Sequence, residues 1–151
     1  MTNDVEYAGF WMRVGSAIID SLLLGLIIVP VLAAVYGPRY WSSDRLVQGP
    51  LDVLVSWVAP AIAVIAFWIA RQATPGKMAI GLRIVDAQTG SKPTTRQFIL
   101  RYVGYYVAML PLFVGILWVA FDLRKQGWHD KIAGTVVVRR KRAKAATVSL
   151  E

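Results

Sequence analysis

Residues 11–36 read WMRVGSAIIDSLLLGLIIVPVLAAVY, and this stretch decides the fold. From Val14 to Tyr36 the only charged residue is Asp20. A helix of that length crosses a hydrocarbon core about 30 Å thick at about 1.5 Å per residue. A carboxylate inside such a span costs roughly 2.5–3.5 kcal/mol on insertion scales, so Asp20 is expected to face protein or water rather than lipid. Arg13 lies two helical turns earlier, on nearly the same face and about 10 Å along the axis. Its long side chain reaches the headgroups, and the short side chain of Asp20 does not. Asp20 therefore has two readings: a group that changes protonation, or half of a fixed ion pair that sets packing.

The composition agrees with a membrane setting. Of 151 residues, 56% are hydrophobic, and the mean hydropathy of +0.51 is too high for an ordinary soluble domain. The 17 Lys and Arg outnumber the 9 Asp and Glu, but they flank charge-poor runs. That is the pattern of topology signals and anionic-headgroup contacts, so the bilayer rather than nucleic acid is the expected partner. With no cysteine there are no disulfides, no thiolate chemistry and no cysteine-based metal site. The acidic start Met-Thr-Asn-Asp-Val-Glu, with Asp20 interrupting the apolar run, argues against a cleaved signal peptide.

Residues 1–10 read as a polar, frayed tail. In the first span Gly15, Ser16, Ala17, Ser21 and Gly25 offer small surfaces for close helix contact. Pro30 is a candidate kink, and Gly37-Pro38 ends the helix. In the loop up to Pro50, Tyr40 and Trp41 suit a headgroup belt beside Arg39 and Arg45. The second span, 51–70, has Asp52 at its start, Pro60 in its middle, Trp57 and Trp68 towards its ends, and Arg71 beyond it.

The segment 74–96 is not membrane-like. Thr74-Pro75-Gly76-Lys77 reads as an N-cap with proline at the first helical position, and Gly81 as a C-cap. Leu82 to Asp86 alternates like a strand, Thr89-Gly90 marks a turn, and a helix starts near Thr94 or Thr95. The segment 126–139 echoes it. Gly127 to Gly134 is a second short helix, and Thr135 to Val138 a second strand, expected to pair with Arg83–Asp86.

Between these two segments lies the apolar run 102–121. Six Lys or Arg against one Asp precede it over 71–101, and eight against three acids follow over 122–151. The positive-inside rule places both flanks in the cytoplasm, which a single crossing does not allow. Twenty residues are too few for two full spans. A break at Leu110-Pro111, with Gly115 beyond it, resolves the conflict as a re-entrant pair of helices; a simple third span is the alternative. The expected architecture is thus an α-helical integral membrane protein. It has two transmembrane helices, a third spanning or re-entrant segment, and a small cytoplasmic cap of short helices and paired strands. A basic tail, 140–151, completes the chain.

The run Tyr7-Ala8-Gly9-Phe10-Trp11-Met12-Arg13 with Asp20, the block Thr74 to Asp86, and the block Gln126 to Val138 together resemble the RDD family of small membrane proteins. That family is named for one arginine and two aspartates. The match extends from Tyr7 to Arg139, and its last block is the most specific. The resemblance identifies Arg13 and Asp20 as the first two of those residues, with Asp130 as the second aspartate and Asp122 as the alternative. It implies a multi-pass fold in the inner membrane, with the N-terminus and basic loop cytoplasmic. Some members are sodium–proton antiporters, and others are accessory parts of membrane complexes.

Two functions follow. In the first, a homodimer exchanges Na⁺ or another monovalent cation for H⁺ at Asp20, tuned by Arg13 and Asp130. Lys77, Arg101, His129 and Lys131 are the candidate opposing charges. In the second, the protein is a non-transporting scaffold that binds other membrane proteins through its small-residue faces. His129, the sole histidine, is a proton relay or, more simply, a packing and hydrogen-bonding group. Asp130 is expected to anchor Arg13 or a backbone amide, locking the cap to the first helix. Five basic residues, Arg139, Arg140, Lys141, Arg142 and Lys144, form a tail for topology or anionic lipid. Gly76-Lys77 lacks the spacing of a phosphate loop, and no hydrolase or metalloprotease motif is present. No enzyme activity, cofactor or metal is expected.

Overall fold

The structure is a computed structural model that describes residues 5–141. It opens with strand β1, Val5–Tyr7, and the long helix α1, Phe10–Tyr36. Helix α2 covers Pro50–Arg71. Helix α3 (Pro75–Ala79) leads into β2 (Leu82–Asp86), and α4 covers Thr95–Met109. Helix α5, Val114–Leu117, continues as a 3₁₀ turn. Helix α6 (Trp128–Ala133) and β3 (Thr135–Arg140) complete the described chain. Helices α1 and α2 have the length and apolarity to cross a membrane. α1 passes through Pro30 without a break. In α2 the backbone widens to a π turn over Leu54–Val58, just before Pro60. A proline ring collides with the carbonyl four residues back, here Ser56, and a wider turn relieves that collision.

The cap is a three-stranded antiparallel sheet of order β1-β3-β2. The expected strand pairing is present: Arg83 faces Val138 and Asp86 faces Thr135. β3 is central, and its Val136, Val137 and Val138 are all buried, as a strand covered on both faces requires. Leu82, Ile84 and Val137 pack with Trp68 of α2 and Phe98 of α4. Val85, Val136 and Val138 turn to the other face, against Val5 and Tyr7.

Two sequence expectations fail at this sheet. Residues 5–7 are not frayed: Val5 faces Arg140 and Tyr7 faces Val138 across β1 and β3. Arg139 is not a tail residue either. It pairs with Glu6 of the neighbouring strand, Nη2 to Oε1 2.5 Å, and Arg140 ends the strand. A three-residue strand is too short to show its period, which is why it read as a polar tail.

Segment 102–121 does not run straight. Helix α4 stops at Met109, Leu112 and Phe113 take left-handed backbone angles (φ 51° and 63°), and α5 leaves bent by 115°. Gly115 lets the two arms close: a Cβ there would lie 2.7 Å from the Ala108 Cα. Because β2 precedes this hairpin and β3 follows it, the chain leaves one sheet and returns to it.

Candidate functional site

Most of the buried charged residues singled out from the sequence fall into two separate clusters. The first is built around Asp130, third residue of α6 and fully buried. Its Oδ2 accepts from the Gly127 N–H at the start of its own helix (3.0 Å) and from Arg13 Nη1 (2.6 Å). Its Oδ1 accepts from Arg101 Nη1. Arg13 reaches down from the first turns of α1 and also donates to the carbonyls of Lys125 (2.6 Å) and Ala8 (3.1 Å). Arg101, fully buried in α4, donates in addition to Thr135 Oγ1 (2.8 Å). Its guanidinium lies over the rings of Trp68 and Tyr105, 5.5 and 5.8 Å from their centroids. One carboxylate thus ties α1, α4 and α6 together. Burial alone would raise its pKa, but the Arg101 and Arg13 guanidiniums hold it far below the usual carboxylate range.

His129 stacks flat on Tyr105, with centroids 4.0 Å apart and 17° between the planes. Neither ring nitrogen has a hydrogen-bond partner among the described residues. Burial pushes its pKa down to about 3, with Arg101, Arg13 and Lys77 acting in the same direction and Asp130 against it. His129 is therefore neutral at physiological pH and serves as a packing ring.

The second cluster is Asp20, which does not meet Arg13. Its carboxylate crosses to α3: Oδ1 accepts from the Gly76 N–H (2.7 Å) and Oδ2 from the Thr74 hydroxyl (2.5 Å). Thr74 holds the N-cap position of α3 but makes no cap bond of its own. Asp20, on another helix, supplies the missing acceptor, and its charge suits the positive end of the peptide dipoles. The approach is close. Ser16 of α1 is fully buried, and a Cβ on Gly76 would fall 2.2 Å from the Ser16 carbonyl oxygen. Of the candidate opposing charges, Lys77 is the one beside Asp20, linked through Thr74 Oγ1, to which its Nζ donates at 3.4 Å. Lys131 instead pairs with Asp122 (2.5 Å). Asp122 also accepts from the Arg124 and Gln126 amides, so it caps a loop.

Between α1, α2 and α4 lies a cleft of about 750 Å³. Asp20, Ser21, Thr74 and Lys77 give it a polar end, and Leu23, Ile27 and Phe67 are among its apolar walls. Among the described residues no group of three or more His, Cys, Asp or Glu could hold a metal ion. Arg140 and Lys141 are exposed, and Arg142 and Lys144 lie outside the described residues.

A third polar knot was missed in the sequence. Asp52, only 2% exposed, accepts from the Tyr40 hydroxyl (2.9 Å), the Gln48 amide (2.9 Å) and the Ser56 hydroxyl (2.8 Å). The Tyr36 hydroxyl accepts from the Asp52 N–H (3.1 Å). Tyr40, expected at the headgroups, therefore ties the end of α1 to the start of α2. The one local signal was the Asp52–Ser56 spacing of one helical turn.

The model described as the RDD family matches residues 7–134. An uncharacterised protein of Rickettsia prowazekii (strain Madrid E) is 40% identical over 75 residues, covering 50% of this chain and 41% of its own length. The uncharacterised membrane protein YteJ of Bacillus subtilis (strain 168) is 31% identical over 140 residues, covering 89% of this chain and 82% of its own. The uncharacterised protein YxaI of the same organism is 27% identical over 147 residues, 87% and 96% of the two chains. No solved structure matches the chain.

Proposed function

The chain belongs to the RDD family, and from that premise we propose a non-transporting accessory protein of the inner membrane, one that seats an apolar membrane component in the cleft between α1 and α2. Both helices span the bilayer in this reading, supported by their length and apolarity and by the membrane naming of the Bacillus relative YteJ. The basic flanks of the α4–α5 hairpin support a cytoplasmic position for the sheet. The hairpin then enters and returns from that side; Leu110, Leu112 and Phe113 at its tip are exposed, so in this reading the irregular backbone there lies at the interface or under a partner.

One observation carries the choice between accessory protein and exchanger: Asp20 and Asp130 are both tied to donors on other elements. An exchange group must release its partners in each cycle. Releasing Asp20 removes the capping acceptor of α3, and releasing Asp130 strands two guanidiniums, one fully buried. Both acids read as struts. Cation–proton exchange at Asp20 stands as the second reading, favoured by the position of Asp20 on the cleft wall. The test is dye-reported proton flux in proteoliposomes of the full chain, with pulses of Na⁺, Li⁺ and K⁺. The accessory reading expects traces that match empty liposomes. Cation-triggered flux from well-folded protein would replace it with the exchanger.

A further inference from the structure

Lys77 sits at the polar end of the cleft with 8% of its surface exposed. Its ammonium makes one long hydrogen bond, 3.4 Å to Thr74 Oγ1. Among the described residues no carboxylate oxygen lies within 4.0 Å of it. An ammonium has three donors, so the remaining two want an acceptor. Asp20 does not supply it, because neither of its oxygens lies within 4.0 Å of the ammonium. The charges point the same way. Arg13, Arg101 and Lys77 face only Asp20 and Asp130 in the two clusters described above, leaving one positive charge in excess.

The rest of the cleft is apolar, walled by Leu26 and Ile27 of α1 and by Val64 and Phe67 of α2. An apolar trough that ends on an ammonium is complementary to a long chain with one anionic end. A cleft of about 750 Å³ has room for an alkyl chain, and one ammonium matches one carboxylate.

We infer that the cleft binds a long-chain fatty acid, its carboxylate on the Lys77 ammonium and its chain lying along α1 and α2. This rests on the accessory reading, in which the cleft is a seat for a membrane component, and it names the occupant.

The test uses the full chain in non-ionic micelles and the quenching of tryptophan fluorescence by dibromostearic acid, kept ionised, against its methyl ester. Trp57 and Trp68 both line the cleft and report on a brominated chain inside it. The acid quenches at a concentration about tenfold lower than the ester, a difference of about 1.4 kcal/mol. Lys77→Gln removes that preference, and Lys77→Arg keeps it. Ala63→Phe, a substitution on the cleft wall that leaves the ammonium in place, weakens binding of the acid about tenfold. It provides the test if Lys77→Gln does not fold. Equal quenching by acid and ester, a preference that survives Lys77→Gln, or displacement of the acid by an equal amount of phosphatidylglycerol would each overturn the assignment. Without acid preference and without cation flux, this inference falls and the accessory reading stands. Cation flux in the same preparation removes both.

Discussion

Replacing Asp130 with asparagine leaves Arg13 and Arg101 sharing a site with no counter-charge. Breaking a buried ion pair from one side costs about 3–5 kcal/mol, so Asp130→Asn should lower the unfolding temperature in micelles sharply. A variant that unfolds with wild type would show that the arginines are stabilised by something else. The wild-type pH profile separates Asp130 from its neighbour. The depressed Asp130 pKa gives stability that is present above the ordinary carboxylate value and is lost only as pH falls through the lower folded value. Its contribution is flat between pH about 7 and about 4. His129, pushed down to about 3, behaves differently. From about 6.5 downward the unfolded chain takes up a proton that the folded chain refuses, so stability falls with falling pH across that window. His129→Phe keeps a ring on Tyr105 and should flatten this part of the profile, read as unfolding temperature against pH. An unchanged slope would assign the loss to another group. The sequence gives no hint of this insulation of His129, because its burial is a property of the assembled cap.

Helices α3 and α6 were legible because their start and stop signals are local. Pro75 sits in the first turn of α3, Gly81 and Gly134 take left-handed angles at the exits of α3 and α6, and Thr94 with Gln97 forms the capping box of α4. What these short helices pack against was not legible. The Asp20 carboxylate is linked to residues 54 and 56 positions away, and no periodicity encodes such a pairing. The same holds for Asp52, whose partners arrive from α1 and the loop after it. The contacts between elements predict the effect of small substitutions. Gly76→Ala forces a methyl group into the Ser16 carbonyl and should separate α3 from α1. Gly115→Ala presses on Ala108 and on the Trp128 ring, only 2.9 Å from the added carbon, and should open the α4–α5 hairpin. Overpacking of this kind costs about 1–3 kcal/mol. By contrast, nothing lies within 4 Å of a Cβ on Gly25, so Gly25→Ala should not lower thermal stability, and the better helix propensity of alanine raises it slightly. Equal stability of all three variants would contradict these close approaches.

At the scale of the molecule, the conflict between a single crossing and two basic flanks was readable from charge alone, and in the proposed topology the return of the chain to one sheet resolves it. β2 and β3 lie on either side of the α4–α5 hairpin and still pair over Leu82–Asp86. Gln88→Cys and Lys141→Cys should therefore react with an impermeant thiol reagent from the same side of sealed vesicles, and Ser43→Cys from the other. Labelling of the first two from opposite faces would mean that the hairpin crosses the membrane. The two long helices bury little of their apolar length inside the protein, so the packed part of the molecule is the cap with the ends of α1, α2 and α4 nearest the sheet. Asp20 and Asp130 bind that cap to α1, and the cleft opens beside them. The most direct test of this account is one preparation of Asp20→Asn, compared with wild type for both thermal unfolding and cation-triggered proton flux. A strut predicts a loss of about 1–3 kcal/mol, from a charge-assisted cap that asparagine reproduces only in part, with flux at background in both proteins. Unchanged stability, together with cation-triggered flux present in wild type and absent from the variant, would contradict it.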